Sequence, residues 1–557
     1  MLRRRRLLCL ALILGGCPEP SDASPATAEI TVTDLGPVFD AGRPPRGVLW
    51  YVYLAASDAV DLPLWARVWV CGWDDGPDGE QAVLSVDSAA YERLVATGLP
   101  FAAVREEVPW KVFHAEFRAR VGRAPEARGR GFVLDDSYKD PEIVADILFA
   151  YHTRYPELTA LVQIGQSHQG RPIWALKVSD RPGLHEDEPP ILFDAAHHAS
   201  ELITIEYVLD IVDTLLLGHG EDARITKWVD GAEIWCVPIV NPDGVYLFMH
   251  DERAASRKNA RDLDMNGWFT ALEGVDINRN YPFGWGGNHV DYPPLHPWYR
   301  GPTPASAPET RAMMGLAADE HFAAVLSFHT YGTDIYVPYM VDDIREVEPD
   351  VFRAIAEDLA LAAPQQPDGR HYAVRDPPHP VDGAAHDWHT HEYGAAAYVV
   401  EGSHQNPGPE IRRLSIEGTR PVWMRILDRV VSGPWIGGRV RDSDGTPIVA
   451  EVMLKEIRTF EGESWMSRAR DGRFDRAVAS PGTYTLVVRA DGYAAVEQTV
   501  VVAAQRTDVD IVLAAVSGPG RARVSRHSPS RARHGTARGG RTSSVTSGLR
   551  GSMSPSP

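Results

Sequence analysis

Cysteine is nearly absent: 557 residues contain four, and two of those, Cys9 and Cys17, lie in the first seventeen positions. That excludes a disulfide scaffold and a cysteine-rich zinc module. The remaining pair, Cys71 in "ARVWVCGW" and Cys236 in "AEIWCVPIV", sits in apolar strand-like runs, which reads as two buried thiols; a bridge between them stays open in an oxidising compartment. After the first twenty residues no hydrophobic run approaches the length that spans a bilayer. No G-x-S-x-G elbow occurs, so a serine hydrolase of that type is not indicated. The body of the chain carries no net positive charge. The net charge is -20, and setting aside Arg3 to Arg6 and the eight arginines of the acid-free stretch 517–557 leaves -32 for residues 7–516. Nucleic acid is therefore not the expected partner of the folded part.

What is present begins with an address. "MLRRRRLLCLALILGGCPEP" places four arginines before a short apolar run and small residues, as targeting segments do. Leu14-Gly15-Gly16-Cys17 resembles the bacterial lipobox, in which the cysteine is lipidated and becomes the mature N-terminus; ordinary signal cleavage is the alternative. Either way the protein is expected to be exported, secreted or held at the membrane on the periplasmic or extracellular side through a lipid on Cys17. The expected organisation is a signal peptide over 1–17, a tether over 18–46, an α+β unit over 47–117 and an arginine-rich linker over 118–132. An α/β domain over 133–432, a β-sandwich over 434–515 and a disordered basic tail over 516–557 complete it. The α/β reading rests on alternation of apolar strands ("ILFDAA", "AEIWCVPIVN") with amphipathic helices ("DPEIVADILFAYHTRYPE", "ELITIEYVLDIVDTLLLG"), which implies a sheet covered on both faces. Short alternating strands after "SGPWIGG" imply the sandwich.

The chemistry concentrates at strand ends. His-x-x-Glu occurs three times. His185 to Glu188 lies in the loop "GLHEDEPP" and His389 to Glu392 in "WHTHEY", and both read as accidental. His198 to Glu201 follows the apolar run "ILFDAA" and precedes a helix, where open α/β sheets gather functional loops. His329 ends the strand-like "FAAVLSFH" and Glu401 ends "GAAAYVVE". Two histidines and two glutamates at three strand ends are what a hydrolytic zinc site requires: three ligands, an open position for water and a carboxylate to act on that water. Spacing alone leaves the metal site and a set of locally bonded side chains equally open.

Residues 133–432 resemble the zinc carboxypeptidases of the carboxypeptidase A type. The resemblance is carried by "HHASE", by "RKNARDLDMNGWFTALEGVDINRNYPFGWGG", by "SFHTYG", by "HDWHTHEYGAAAYVVEG", and by the opening "SYKDPEIVADILFAYHTRYPELTALVQIGQSHQGRPIWALKVS". It implies a mixed twisted sheet with helices on both faces, peptide or protein C-termini as substrate, and one zinc ion. His198, Glu201 and His329 would hold the zinc, with His197 a neighbour only. Glu401 would be the general base and Arg257 the oxyanion stabiliser. Asn278 and Arg279 would hold the substrate's terminal carboxylate, Tyr331 and His379 would also meet substrate, and Asp276 would orient a zinc histidine. The chain departs from the family at Ser200, where an arginine is usual, and at His379, which stands in place of a mobile tyrosine while Tyr372 is out of register. Ala384, Ala385 and His386 form neither the usual apolar nor the usual acidic wall of the selectivity pocket. The N-terminal unit resembles a prosegment and the sandwich a transthyretin-like or regulatory-like domain. The same scaffold also suits an amidase acting on cell-wall peptide or an acylated amino acid, or an inactive peptide- or wall-binding protein.

One signal stands apart. "DLDMNGWFTALE" fits the calcium-loop spacing D-x-D-x-N-G-x5-E, with Asp262, Asp264, Asn266 and Glu273 as ligands, or else is a surface turn.

Overall fold

The structure is a computed structural model that describes residues 48–59, 62, 70–76, 79–107, 137–250, 257–263, 265, 273–287, 292–366, 369–376, 381–404 and 406–516. The expected signal peptide, tether, linker and all but the first residue of the tail fall outside these, as do Asp264, Asn266 and His379.

The N-terminal unit is an antiparallel sheet in the order β2-β3-β1-β4. Its elements are β1 (Val48–Ala55), β2 (Val70–Gly76), β3 (Gly79–Asp87), helix α1 (Ser88–Thr97) and β4 (Ala102–Glu107). Alternation decides which face is buried: Val52 and Leu54 of β1 and Ala82 and Leu84 of β3 lie inward with Leu94 of α1.

The central domain is built on an eight-stranded sheet ordered β11-β10-β12-β9-β7-β8-β6-β5. Along the chain it runs α2 (Pro141–Arg154), β5 (Thr159–Gln166), β6 (Pro172–Val178), β7 (Pro190–Ala195), α3 (Leu202–Gly218), β8 (Glu233–Val237) and α4 (Pro308–Glu320). It continues with β9 (Ala324–Thr330), β10 (Asp334–Tyr336), α5 (Val351–Ala362), β11 (Ala373–Arg375), α6 (Ala385–Tyr393), β12 (Ala396–Gly402) and α7 (Pro409–Ser432). The sheet is mixed: β8, β7, β9 and β12 run parallel, while β6 and β10 join them antiparallel. Both faces are covered, which is why these strands read as unbroken apolar runs. Ile191 and Phe193 of β7 face a core shared with α2, α3, α5 and α7, and Leu192 between them faces α4 and α6. Helix α2 starts where Asp140 accepts the Ile143 amide and Pro141 occupies the first turn, and it buries Ile143, Val144, Ile147, Leu148 and Tyr151 as one stripe.

The C-terminal part is a sandwich of two three-stranded sheets, β15-β13-β18 and β14-β16-β17. Its strands are β13 (Trp435–Asp442), β14 (Glu451–Leu454), β15 (Arg473–Ala477), β16 (Gly482–Arg489), β17 (Val496–Val502) and β18 (Thr507–Leu513). Its core is continuous with that of the central domain, through Trp435, Trp465 and Phe474. Cys236 is a free, buried thiol in β8, and burial raises its pKa. Among the described residues no helix is long and apolar enough to cross a membrane.

Candidate metal centre

Three parallel neighbours deliver the candidate residues to one place. At the end of β7 the chain turns through Ala196, a non-glycine residue at φ 53° held in the left-handed region, and presents His197 and His198. Glu201 then stands at the N-cap of α3 without using its side chain as a cap. The carboxylate is turned instead toward the histidines: Oε1 lies 2.7 Å from His198 Nδ1 and Oε2 3.1 Å from His329 Nδ1. His329 sits in β9 directly opposite Glu401 of β12 in the parallel register, so both side chains emerge at one level.

The donor set fits zinc. His198, Glu201 and His329 are buried and offer ligand atoms within 4.8 Å of one another. The two Nδ1 atoms are 3.1 Å apart, close to the roughly 3.3 Å separation that two zinc–nitrogen bonds at the tetrahedral angle require. The outer nitrogens are oriented too. His198 Nε2 is 3.3 Å from Asp276 Oδ1, and His329 Nε2 is 3.4 Å from both Ser327 Oγ and Asn278 Nδ2. Burial pushes the Glu201 carboxyl up, but His198 and His329 outweigh it and hold the group well below the usual range. Burial also brings His329 down to about 4, so its ring is neutral at pH 7. His197 is not part of the triad. It faces Asp194 at 3.3 Å and Tyr281 at 3.1 Å behind the ligands.

Glu401 has the opposite environment. It is partly exposed, yet its Oε2 is buried with no hydrogen-bond partner. Burial raises its pKa well above the ordinary value, Glu201 and Asp334 raise it further, and Arg257 and Arg279 pull it down.

Asp276 ties the remaining candidates together. It accepts Arg257 Nε at 2.6 Å on Oδ2 and the Asn278 amide at 3.0 Å on Oδ1. Arg279 is 7% exposed and donates to the Asn278 carbonyl. Asn278 also has a structural part, because its Oδ1 accepts the Ala385 amide and so fixes the start of α6. Tyr331 meets the N-terminal unit, with Tyr53 of β1 edge-on at 6.2 Å and Arg370 over the ring at 5.5 Å. His386 and Asp387 are both buried, with His386 Nε2 3.0 Å from Asp387 Oδ1. Tyr372 is buried beside Thr419 of α7. In the calcium-type pattern, Glu273 accepts the Leu263 amide at 2.9 Å.

Asn406 escaped sequence reasoning. Fully buried, it donates to the Ser200 carbonyl and accepts the Leu202 amide, clamping the ligand loop from 204 residues away in sequence. Only the positive φ of 51° marks it, and a lone asparagine before proline carries no such signal in sequence.

Residues 144–413 match the zinc carboxypeptidase family, and residues 436–514 match the carboxypeptidase regulatory-like domain. Just under half of the chain is thus similar to the zinc carboxypeptidases. A zinc carboxypeptidase of Saccharothrix mutabilis subsp. capreolus is 40% identical over 135 residues, 24% of this chain and 30% of that protein. Metallocarboxypeptidase A of Trichophyton rubrum is 31% identical over 242 residues, 42% of this chain and 53% of that protein. The chain therefore spans about half, or less, of the length of these relatives. The solved structure of thrombin activatable fibrinolysis inhibitor superimposes with a TM-score of 0.55 at 20% identity, over 69% of this chain and 98% of that one, a likeness of fold. The triad lies within the first matched stretch, and the sandwich coincides with the second.

Proposed function

We propose that the protein is a zinc-dependent metallocarboxypeptidase that hydrolyses the last peptide bond of a peptide, with Glu401 as general base. The observation that carries the reading is the pair of oppositely tuned glutamates on adjoining strand ends, one held ionised between two histidines, the other with an unpartnered oxygen and a raised pKa. His198, Glu201 and His329 would hold the zinc, which would supply a polarised water and an electrophile for the scissile carbonyl. Glu401 would take a proton from the attacking water and return it to the departing amine, and its burial beside Glu201 and Asp334, which raises its pKa, favours its carrying that proton. Arg257, braced through Nε by Asp276, would stabilise the oxygen that becomes negative. Arg279 receives the free terminal carboxylate in a two-pronged contact.

Matched peptides ending in an acid or an amide test this. A charge-assisted pair contributes about 1.5–3 kcal/mol, so amidation lowers kcat/KM at least about tenfold. Arg279→Ala harms the acid substrate strongly and the amide little, and Arg279→Lys restores only part. Equal rates on both substrates in the wild type would replace the exopeptidase reading with an amidase.

Tyr53 against Tyr331 supports a further element of the reading, in which the N-terminal unit is a cap over the site. Trypsin-like cleavage in the arginine-rich 118–132 linker then raises activity, and unchanged activity after clean cleavage makes the unit a spacer.

A further inference from the structure

The loop between β6 and β7 is not part of the zinc site, yet it gathers acids in a way that ordinary solvation does not explain. Ligand-capable oxygens of Asp180, Glu186 and Glu188 lie within 4.8 Å of one another. Each residue has one buried oxygen with no hydrogen-bond partner: Asp180 Oδ1, Glu186 Oε2 and Glu188 Oε2. Glu186 is only 8% exposed, and its other oxygen pairs with Arg181. Below the loop stands Glu233, fully buried, whose Oε1 takes Lys177 Nζ at 2.7 Å and the Glu186 amide at 2.9 Å. Asp180 and Glu186 thus share the Arg181 guanidinium, while Glu188 feels only the more distant charge of Arg473, and buried anions with so little compensation are costly. Burial, then Glu186, Asp180 and Glu233, push the Glu188 carboxyl up to about 8.

The intervening residue points the other way. Asp187 reaches the sandwich, with Arg473 Nη1 at 2.7 Å and Arg439 Nε at 2.9 Å. Neighbouring side chains of one loop therefore serve two purposes: Glu186 and Glu188 belong to the acid cluster, and Asp187 pairs with arginines of the sandwich.

We propose that Asp180, Glu186 and Glu188 bind a hard divalent cation of the calcium class, and that the ion sets the loop on which the sandwich docks through Asp187. All-oxygen, carboxylate-rich donors favour calcium over zinc, which takes nitrogen and sulfur where they are offered. The neighbouring His185 belongs to a separate group with Glu233 and Glu320. This site is independent of the zinc chemistry and stands or falls apart from it.

The test uses the full chain, cleared of calcium on a chelating resin and resupplied with one equivalent of zinc. Calcium chloride is titrated up to about 5 mM, beyond the range of weak extracellular-type sites. One calcium ion binds per chain by calorimetry, and Tm rises by at least about 2 °C because the ion binds only the folded state. Hydrogen exchange across β15 slows in parallel. In Glu186→Gln/Glu188→Gln, which keeps shape and removes two charges, the calcium-free Tm is equal or higher, and both the binding and the rise disappear. Asp180→Asn, at the more exposed position, gives the same loss should the double variant fail to fold. No binding by the wild type, or binding that survives in these variants, overturns the site. Binding that leaves β15 exchange unchanged overturns its link to docking.

Discussion

Strands β7, β8 and β9 run parallel, so their two ends can be compared as two regions of one sheet. At the carboxyl ends stand His198, Glu201 and His329, with Glu401 beside them. At the amino ends stand the loop acids before β7, Glu233 as the first residue of β8, and Glu320 just before β9. Both ends concentrate carboxylates, and the difference lies in what reaches them. At the amino ends arginines of the sandwich cover the acids: Arg470 lies 2.6 Å and Arg468 3.5 Å from Glu320, and Arg473 reaches Asp187. At the carboxyl ends Glu201 meets His198 and His329, and one oxygen of Glu401 meets no hydrogen-bond partner. Glu320 and Asp187, which arginines of another domain neutralise, are structural, whereas Asp180, Glu186 and Glu188 keep unpartnered oxygens as Glu401 does. What sets the carboxyl ends apart is that their acids stand among histidines, where an open α/β sheet gathers ligands.

The largest effects come from breaking the carboxyl-end cluster. His198→Ala, Glu201→Ala or His329→Ala removes one of three ligands, so bound zinc is lost and kcat/KM falls by at least about a thousandfold. Glu401→Gln is expected to keep its zinc and lose about 10²–10⁴-fold in kcat, since it removes only the base. Metal analysis beside steady-state kinetics separates the two classes. Full zinc retention in all three ligand variants would dissolve the metal assignment, and wild-type turnover in Glu401→Gln would dissolve the mechanism.

The carboxyl ends were largely legible in the sequence, and the amino ends were not. "ILFDAA", "FAAVLSFHT" and "AAAYVVE" announce buried strands because both faces need apolar side chains, and a His or Glu closing such a run is conspicuous. The α+β unit and the sandwich were legible for a similar reason, through alternation. What convergence in space adds has no local pattern. Arg473 meets Asp187 across 286 residues and Asn406 clamps Leu202 across 204. The spacing of His185 and Glu188 reads as accidental, and in the folded chain His185 groups with Glu233 and Glu320 while Glu188 groups with Asp180 and Glu186, a division visible only once the chain has folded. The partner of Tyr331, Tyr53, likewise comes from a separate sheet.

A smaller effect tests the amino ends. Glu320→Ala removes the carboxylate that Arg470 contacts and one partner of Arg468, which is 2% exposed and keeps Asp471. Unpairing buried charge costs on the order of 2 kcal/mol here, less than the 3–5 seen when no partner remains, and Tm falls by about 4–8 °C. Turnover should stay within about twofold of wild type, because no group at the carboxyl ends is touched. Loss of activity in a variant that remains folded at the assay temperature would show that the two ends are not separable.

The smallest effect concerns pH at that same junction. His321 follows α4 with φ 52°, its ring 4.7 Å from that of Tyr393 and its Nδ1 3.4 Å from the Met466 carbonyl. Burial lowers its pKa from 6.5 to about 4; Met466 opposes the shift, while Arg468, Arg476 and Arg470 add to it. The sign follows from which state takes the proton first. As pH falls below 6.5 the unfolded chain binds a proton that the folded chain refuses, so stability present above 6.5 is lost progressively down to about pH 4. His321→Asn accepts the left-handed backbone and cannot titrate. It gives up some ring packing at pH 7, so its Tm starts lower, but it loses about 1–2 °C less than wild type between pH 7 and pH 5. Differential scanning calorimetry on both proteins at the two pH values measures the difference. Parallel losses would mean that the proton is taken up elsewhere, and that the arginines over the amino ends hold their acids without charging His321.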